Sequence, residues 1–217
     1  MTIGVPKESF PGERRVALVP AAVPGLKKAG HEVLVEAGAG GTALFPDAMY
    51  LEKGARIAGS RAEVFASAGA VVQVLGHGAN DKTGRADLPL LRRDQILIAF
   101  LRPLAVPETV REIAVTGATA FSVEFKPRIT RAQSMDALSA MSTVAGYKAV
   151  LLAADVLPRM FPMLMTAAGT IPPARVLVVG AGVAGLQAIA TARRIGAVVS
   201  AYDIRPATKE EVRSLGA

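Results

Sequence analysis

Three glycines and one acid carry the strongest chemical signal in the chain. Residues 175–185 read Arg-Val-Leu-Val-Val-Gly-Ala-Gly-Val-Ala-Gly; a helical run and a second apolar stretch then lead to Asp203. Strand, Gly-x-Gly-x-x-Gly turn, helix, strand and terminal acid is the arrangement that cradles a dinucleotide. Gly180 lets the chain turn sharply out of the strand at 176–179. Gly182 has no Cβ, so backbone can approach a pyrophosphate, and Gly185 lets the helix pack close. The helix is expected to begin near Val183, with its free N–H groups and positive dipole end facing the phosphates. Asp203 falls 21 residues after Gly182. A carboxylate there accepts both ribose hydroxyls, which favours NAD and repels a 2′-phosphate. The bland alternative is a Gly-rich turn that binds nothing, with Asp203 capping the next helix.

A second polar set lies upstream. Gln133, Asp136 and Ser139 are spaced i, i+3, i+6, which places them in one sector of a helix, and they follow Arg128. An amide, a carboxylate, a hydroxyl and a guanidinium together could grip a carboxamide, ribose hydroxyls and a phosphate. The competing reading is an ordinary polar helix start, with Asp136 placed for the dipole. Lys7, Glu8, Arg14 and Arg15 read as a solvated loop with exchangeable ion pairs. His77, between two glycines, has no acid beside it in sequence and reads as a loop histidine. No Gly-x-Ser-x-Gly elbow, Walker loop or His-Glu-x-x-His motif occurs. The residues therefore point to nicotinamide-cofactor binding, with hydride transfer as the chemistry.

These groups need a scaffold. Strands are predicted at 2–5, 31–36, 70–75, 95–100 and 119–123, and helices at 16–29 (ending at Gly30), 47–53 and 107–116. Alternating strands and helices predict an α/β fold: two Rossmann-like, doubly wound parallel-sheet domains. The domains are placed at 1–135 and 136–217. Residues 76–89 read as a surface loop and 160–174 as a Pro- and Met-rich connector. A long helix over about 133–156 is expected to bridge the domains. Its start is read as a Thr130–Gln133 capping box, with Ser134 as a rival cap, and its apolar stripe as Met135, Leu138, Ala145, Ala149 and Leu152. Only two strands and the start of a helix at 208–215 follow the glycine motif. The second sheet is thus expected to be truncated, a piece of a longer polypeptide.

Composition narrows the classes. Among 217 residues 51% are hydrophobic and 20% charged, as in a globular protein with a substantial core. There is no cysteine and there are two histidines, so no metal site is expected. The net charge of +7 is dispersed, with no basic block, which argues against nucleic acid. The uncharged run 176–192 is short for a membrane span and carries the three glycines. No transmembrane segment is expected.

The opening Gly-Val-Pro-Lys-Glu…Glu-Arg-Arg-Val-Ala-Leu-Val-Pro, the Gly-His-Glu-Val-Leu-Val-Glu-Ala-Gly-Ala-Gly at 30–40 and the glycine turn resemble the alanine dehydrogenase/transhydrogenase family. The stretches at 128–139 and 161–191 are similar to one branch, the NAD(H)-binding alpha subunits (domain I) of proton-translocating NAD(P) transhydrogenases. The resemblance covers essentially the whole chain. It implies NAD(H), with pyrophosphate over Gly182, Val183 and Ala184, ribose on Asp203, and Ile204 and Arg205 alongside. It implies that Arg128, Ile129, Gln133, Asp136 and Ser139 position the nicotinamide, and that Gln133 reaches NADP(H) held by a partner domain of the beta subunit. Hydride would pass directly between the two rings. Further implications are a homodimer, membrane-embedded partner subunits that translocate protons, and a peripheral location on the cytoplasmic side of the inner membrane. Alanine dehydrogenases, the rival branch, carry a catalytic lysine and histidine where this chain has Leu75 and Arg102, though Arg15 is retained. Without an acid/base group, amine oxidation has no route for its proton. An amino-acid dehydrogenase and a non-catalytic NAD-binding module stand as alternatives.

Overall fold

The computed structural model describes residues 1–127 and 129–217. The chain divides into two compact units, Met1–Pro127 and Arg128–Ala217.

The first unit contains β1 (Thr2–Val5), α1 (Val23–Lys28), β2 (Glu32–Glu36), α2 (Asp47–Glu52), β3 (Arg56–Ala58), α3 (Arg61–Ser67), β4 (Ala70–Leu75), β5 (Ile96–Phe100), α4 (Pro107–Val115) and β6 (Thr119–Ser122). All six strands are parallel, in the order β3-β2-β1-β4-β5-β6, so the connections reverse direction between β1 and β4. Alternation along β2 accounts for the two faces. Val33 and Val35 pack with Val5, Val23 and Tyr50, beside α1 and α2, whereas Leu34 packs with Val64 of α3. Each such buried side chain contributes about 1.5–3 kcal/mol. Gly4 is required on β1, because a Cβ there would press on Val64 of α3 and on Ala68 just after it.

Several expectations change in this unit. The helix expected over 16–29 is mostly not helical: a 3-10 turn at Pro20–Ala22 precedes the short α1. Pro20 and Pro24 lack an N–H and fit only a first helical turn, so the helix cannot start before them. The expected surface loop at 76–89 is structured. Asn80 and Asp87 are buried, and a 3-10 segment runs over Gly84–Leu90. β3 and α3 had no sequence forecast; α3 starts at Ser60, whose side chain caps Glu63 N–H at 3.2 Å.

The second unit holds α5 (Ala137–Val156), β7 (Leu164–Thr166), β8 (Gly169–Ile171), β9 (Arg175–Val179), α6 (Val183–Arg194), β10 (Val198–Tyr202) and α7 (Thr208–Ser214). β9 and β10 are parallel and joined through α6, one βαβ crossover. Val176, Val178, Val199 and Ala201 face a core containing Val150, Phe161 and Ile189, while Leu177, Val179 and Tyr202 on the opposite face are exposed. The expected connector at 160–174 contains the antiparallel hairpin β7–β8, closed by Gly169 at φ 131°.

The start of α5 also differs from expectation. The Thr130–Gln133 capping box and the Ser134 cap do not form; residues Thr130–Met135 make a 3-10 turn without a side-chain cap. Asp136 is the N-cap instead, and its ψ of 78° separates the two segments. The expected stripe is not the packed one. Met135 lies outside α5 and is exposed, as is Leu152, while Gly146 and Val150 are the buried positions. Small residues win because α5 packs close against α6: a Cβ on Gly146 would collide with the Ala184 carbonyl oxygen.

Candidate functional site

The glycine turn is built as its sequence requires. Gly180 takes φ 95°, open to glycine at no cost, and swings the chain out of β9. Gly182 is the N-cap of α6, and its carbonyl accepts the first helical bond from Leu186 N–H at 2.8 Å. The N–H groups of the first turn lack intrahelical partners by the geometry of any helix, and no acidic side chain stands among them. A Cβ added to Gly182 meets nothing within 4 Å, so the space before the turn is open. A Cβ on Gly185, by contrast, would strike the Gly180 carbonyl and force the turn apart. A cavity of about 550 Å³ lies here, lined by Ser142, Ala145 and Gly146 of α5 and by Gly180, Gly182 and Val183. Open backbone, a positive helix end and a cavity of ligand size fit a dinucleotide phosphate group.

Asp203 lies beside this turn, its side chain only 9% exposed. Its Oδ2 accepts Ala181 N–H at 2.7 Å, which ties the end of β10 to the turn after β9. Its Oδ1 accepts Arg205 N–H at 2.8 Å, and the Arg205 guanidinium spans both oxygens at 3.0 Å. The Arg205 side chain, then the backbone N–H groups of Arg205 and Ala181, hold the carboxyl well below the usual carboxylate range. Asp203 is therefore not the cap of α7; Thr208 Oγ1 donates to Arg205 O there at 2.9 Å. Ile204 is exposed.

The upstream set is only partly brought together. Arg128 lies outside the described residues. Ile129 and Gln133 are exposed on and beside the 3-10 turn. Asp136 accepts both Ser139 N–H at 3.0 Å and Ser139 Oγ–H at 2.8 Å, so these two form one unit. Gln133 does not share a helical sector with them, because the Asp136 cap breaks the helix between. Ser139 stands one turn before Ser142, on the same side of α5, and Ser142 lines the glycine cavity.

Two readings of the first unit are corrected. Lys7, Glu8, Arg14 and Arg15 do not form a simple solvated loop. Glu8 is partly buried and accepts Val74 N–H at 2.6 Å and Leu75 N–H at 3.1 Å. Burial pushes its pKa up against those bonds. Arg15 is forked onto Glu13, with Nε and Nη2 at 2.8 and 2.6 Å, and these bonds pull Glu13 down. His77 does have an acid beside it: Glu112, from α4, lies 2.6 Å from Nε2 and also pairs with Arg85 at 2.9 Å. A contact between residues 35 apart in sequence is invisible to local spacing. No group of three or more metal-ligating side chains forms among the described residues.

Sequence reasoning missed Ser142, Gly146 and Ala181. Gly146 had a usable signal, since an isolated glycine in a helix costs about 1 kcal/mol and asks for a packing reason. The role of Ala181 rests on a backbone N–H, which no residue type announces. α5, with 20 residues, is also the one helix among the described residues long and apolar enough to cross a membrane; it carries Lys148 and Asp155 and packs on α6.

Known proteins match this architecture over its whole length. The family model for the alanine dehydrogenase/PNT N-terminal domain matches residues 4–145, and that for the C-terminal domain matches 149–217. The chain is 48% identical over 216 residues to an NAD(P) transhydrogenase subunit alpha protein of Rhodospirillum rubrum, covering 100% of this chain and 56% of that protein. It is 35% identical over 207 residues to alanine dehydrogenase of Mycobacterium tuberculosis, covering 94% and 54%. A crystal structure of transhydrogenase from Sinorhizobium meliloti is similar with a TM-score of 0.93 at 46% identity, covering 100% of this chain and 63% of that one. The chain thus spans about half the length of the curated relatives it matches. With both domain models satisfied in order, it belongs to the alanine dehydrogenase/transhydrogenase family.

Proposed function

We propose that this chain is the NAD(H)-binding component of a proton-translocating NAD(P) transhydrogenase. The observation that carries the reading is the open glycine turn with Asp203 hydrogen-bonded to its Ala181 N–H. The first-turn N–H groups of α6, at Val183 and Ala184, take the pyrophosphate, and the Asp203 carboxylate accepts the adenosine ribose hydroxyls. Asp136 and Ser139, locked together at the start of α5, orient the nicotinamide half with Arg128 and Ile129. Gln133, exposed ahead of that cap, reaches toward the NADP(H) of the partner domain.

NADH, when bound, supplies a hydride that passes directly to NADP⁺, leaving NAD⁺ and NADPH. The chain's own contribution is binding, orientation and exclusion of water, so proximity is the source of the rate. Leu75 and Arg102 support this over the amino-acid dehydrogenase reading, and so does Arg15, whose fork is already filled by Glu13. The exposed apolar residues Val144, Tyr147, Leu152 and Val156 of α5 support a homodimer. The assembled enzyme sits peripherally on the cytoplasmic side of the inner membrane, against membrane-embedded subunits that move the proton.

The test is reduction of an NADP analogue by NADH with and without the NADP-binding partner. Turnover only with the partner supports the proposal. Alanine- and pyruvate-dependent NAD turnover without it would favour the dehydrogenase, and NADH binding with no transfer in either case a non-catalytic module.

A further inference from the structure

Arg205 holds the same two oxygens that a ribose needs. Its Nε donates to Asp203 Oδ1 and its Nη2 to Oδ2, each at 3.0 Å, and Nη2 also donates to the Ala181 carbonyl at 3.2 Å. The guanidinium therefore lies across the carboxylate and is pinned to the glycine turn. A ribose cis-diol presents two O–H donors to that carboxylate in the same forked manner. The Ala181 N–H is different in kind, since it belongs to the backbone of the turn and stays on Oδ2.

We propose that Arg205 is an internal competitor of the adenosine ribose, a latch that must leave Asp203 before a dinucleotide seats and that then sets the tolerance for a 2′-phosphate. The proposal rests on the reading of the glycine turn as a dinucleotide site. The latch opens from the Arg205 side, which is 58% exposed and regains water as it leaves, while Asp203 is only 9% exposed and keeps the Ala181 N–H. The latch still has an effect, because a ligand binds only the fraction of molecules whose carboxylate is free. A lone carboxylate repels a 2′-phosphate, but a guanidinium released beside it supplies a bidentate partner for one. Arg205 thus acts against NAD(H) and for NADP(H) at one site, and the preference for NAD(H) is narrower than an isolated acid would make it.

Calorimetric titration of the Arg205→Ala variant tests this. NADH is expected to bind about two- to fivefold more tightly than to the parent protein, the size of one exposed ion pair. NADPH is expected to bind more weakly. 5′-AMP, which carries the diol, should gain by the factor seen for NADH, whereas reduced nicotinamide mononucleotide should not change. Arg205→Gln, which keeps one donor, should fall between. In ¹⁵N spectra of the ligand-free parent, the Arg205 Nε–H should exchange slowly with water and lose that protection when NADH is added. Weaker NADH binding by Arg205→Ala, or no change for either nucleotide, would overturn the latch while leaving the site reading intact. No NADH uptake by the parent protein would overturn the site reading, and the latch with it.

Discussion

The carboxyl ends of the parallel strands are finished differently in the two units. In the first unit the crevice lies where the strand order reverses between β1 and β4, the place such sheets offer a ligand. There Glu8 takes the free N–H groups of Val74 and Leu75. Arg15 nearby in sequence is spent on Glu13. In the second unit, Asp203 takes the backbone N–H groups of Ala181 and Arg205 and carries the Arg205 fork, while the turn after β9 has nothing in front of Gly182 and the first turn of α6 has no side-chain cap. A carboxylate meets backbone N–H groups in both units; what differs is that the first turn of α6 keeps N–H groups without a side-chain cap behind the open Gly182.

The largest effect is expected at Gly182. Gly182→Val fills the open space without touching the fold, so NADH affinity should drop roughly a hundredfold, about 2.7 kcal/mol, at unchanged melting temperature. Equal affinity would mean that ligand does not approach there. Gly146→Val acts on the wall of the same cavity and should lower stability by about 1–3 kcal/mol, because α5 must move off the Ala184 carbonyl. Denaturant unfolding that matches the parent would contradict the close packing.

Emptying the filled crevice sharpens the contrast. Glu8→Ala leaves two backbone N–H groups without their carboxylate and should cost about 1–3 kcal/mol of stability, with NADH affinity unchanged in calorimetry. The smallest effect concerns pH. Glu13 is held below its ordinary value of 4.5 by Arg15, so its contribution is present above pH 4.5 and is lost as pH falls through its lowered pKa. Glu13→Gln should flatten the acid limb of stability by less than about 1 kcal/mol, since Arg15 is partly exposed. Glu8, raised by burial, shifts stability the other way: folding favours its protonated form, so the proton-linked part falls as pH rises through its raised pKa, while its bonds to Val74 and Leu75 remain.

The open crevice was legible and the filled one was not, for a physical reason. Gly180, Gly182, Gly185 and Asp203 act through local turn geometry and strand length, which spacing encodes. Strands such as Ala70–Leu75 and the start of α6 at Val183 follow from short-range patterns in the same way. Glu8 on Val74 and His77 on Glu112 depend on which strands become neighbours, and nothing near either residue states that. The start of α5 misled because Thr130 and Ser134 are as good at capping as Asp136 on residue type alone. The side-chain bonds of Asp136 to Ser139 settled the choice.

A crystal structure of the protein with NADH is the decisive measurement. Pyrophosphate is expected against the Val183 and Ala184 N–H groups, the adenosine ribose on Asp203, and the Arg205 guanidinium moved off that carboxylate. NADH lodged in the first unit, or in the second with Gly182 bare and the Arg205 fork closed, would contradict this placement.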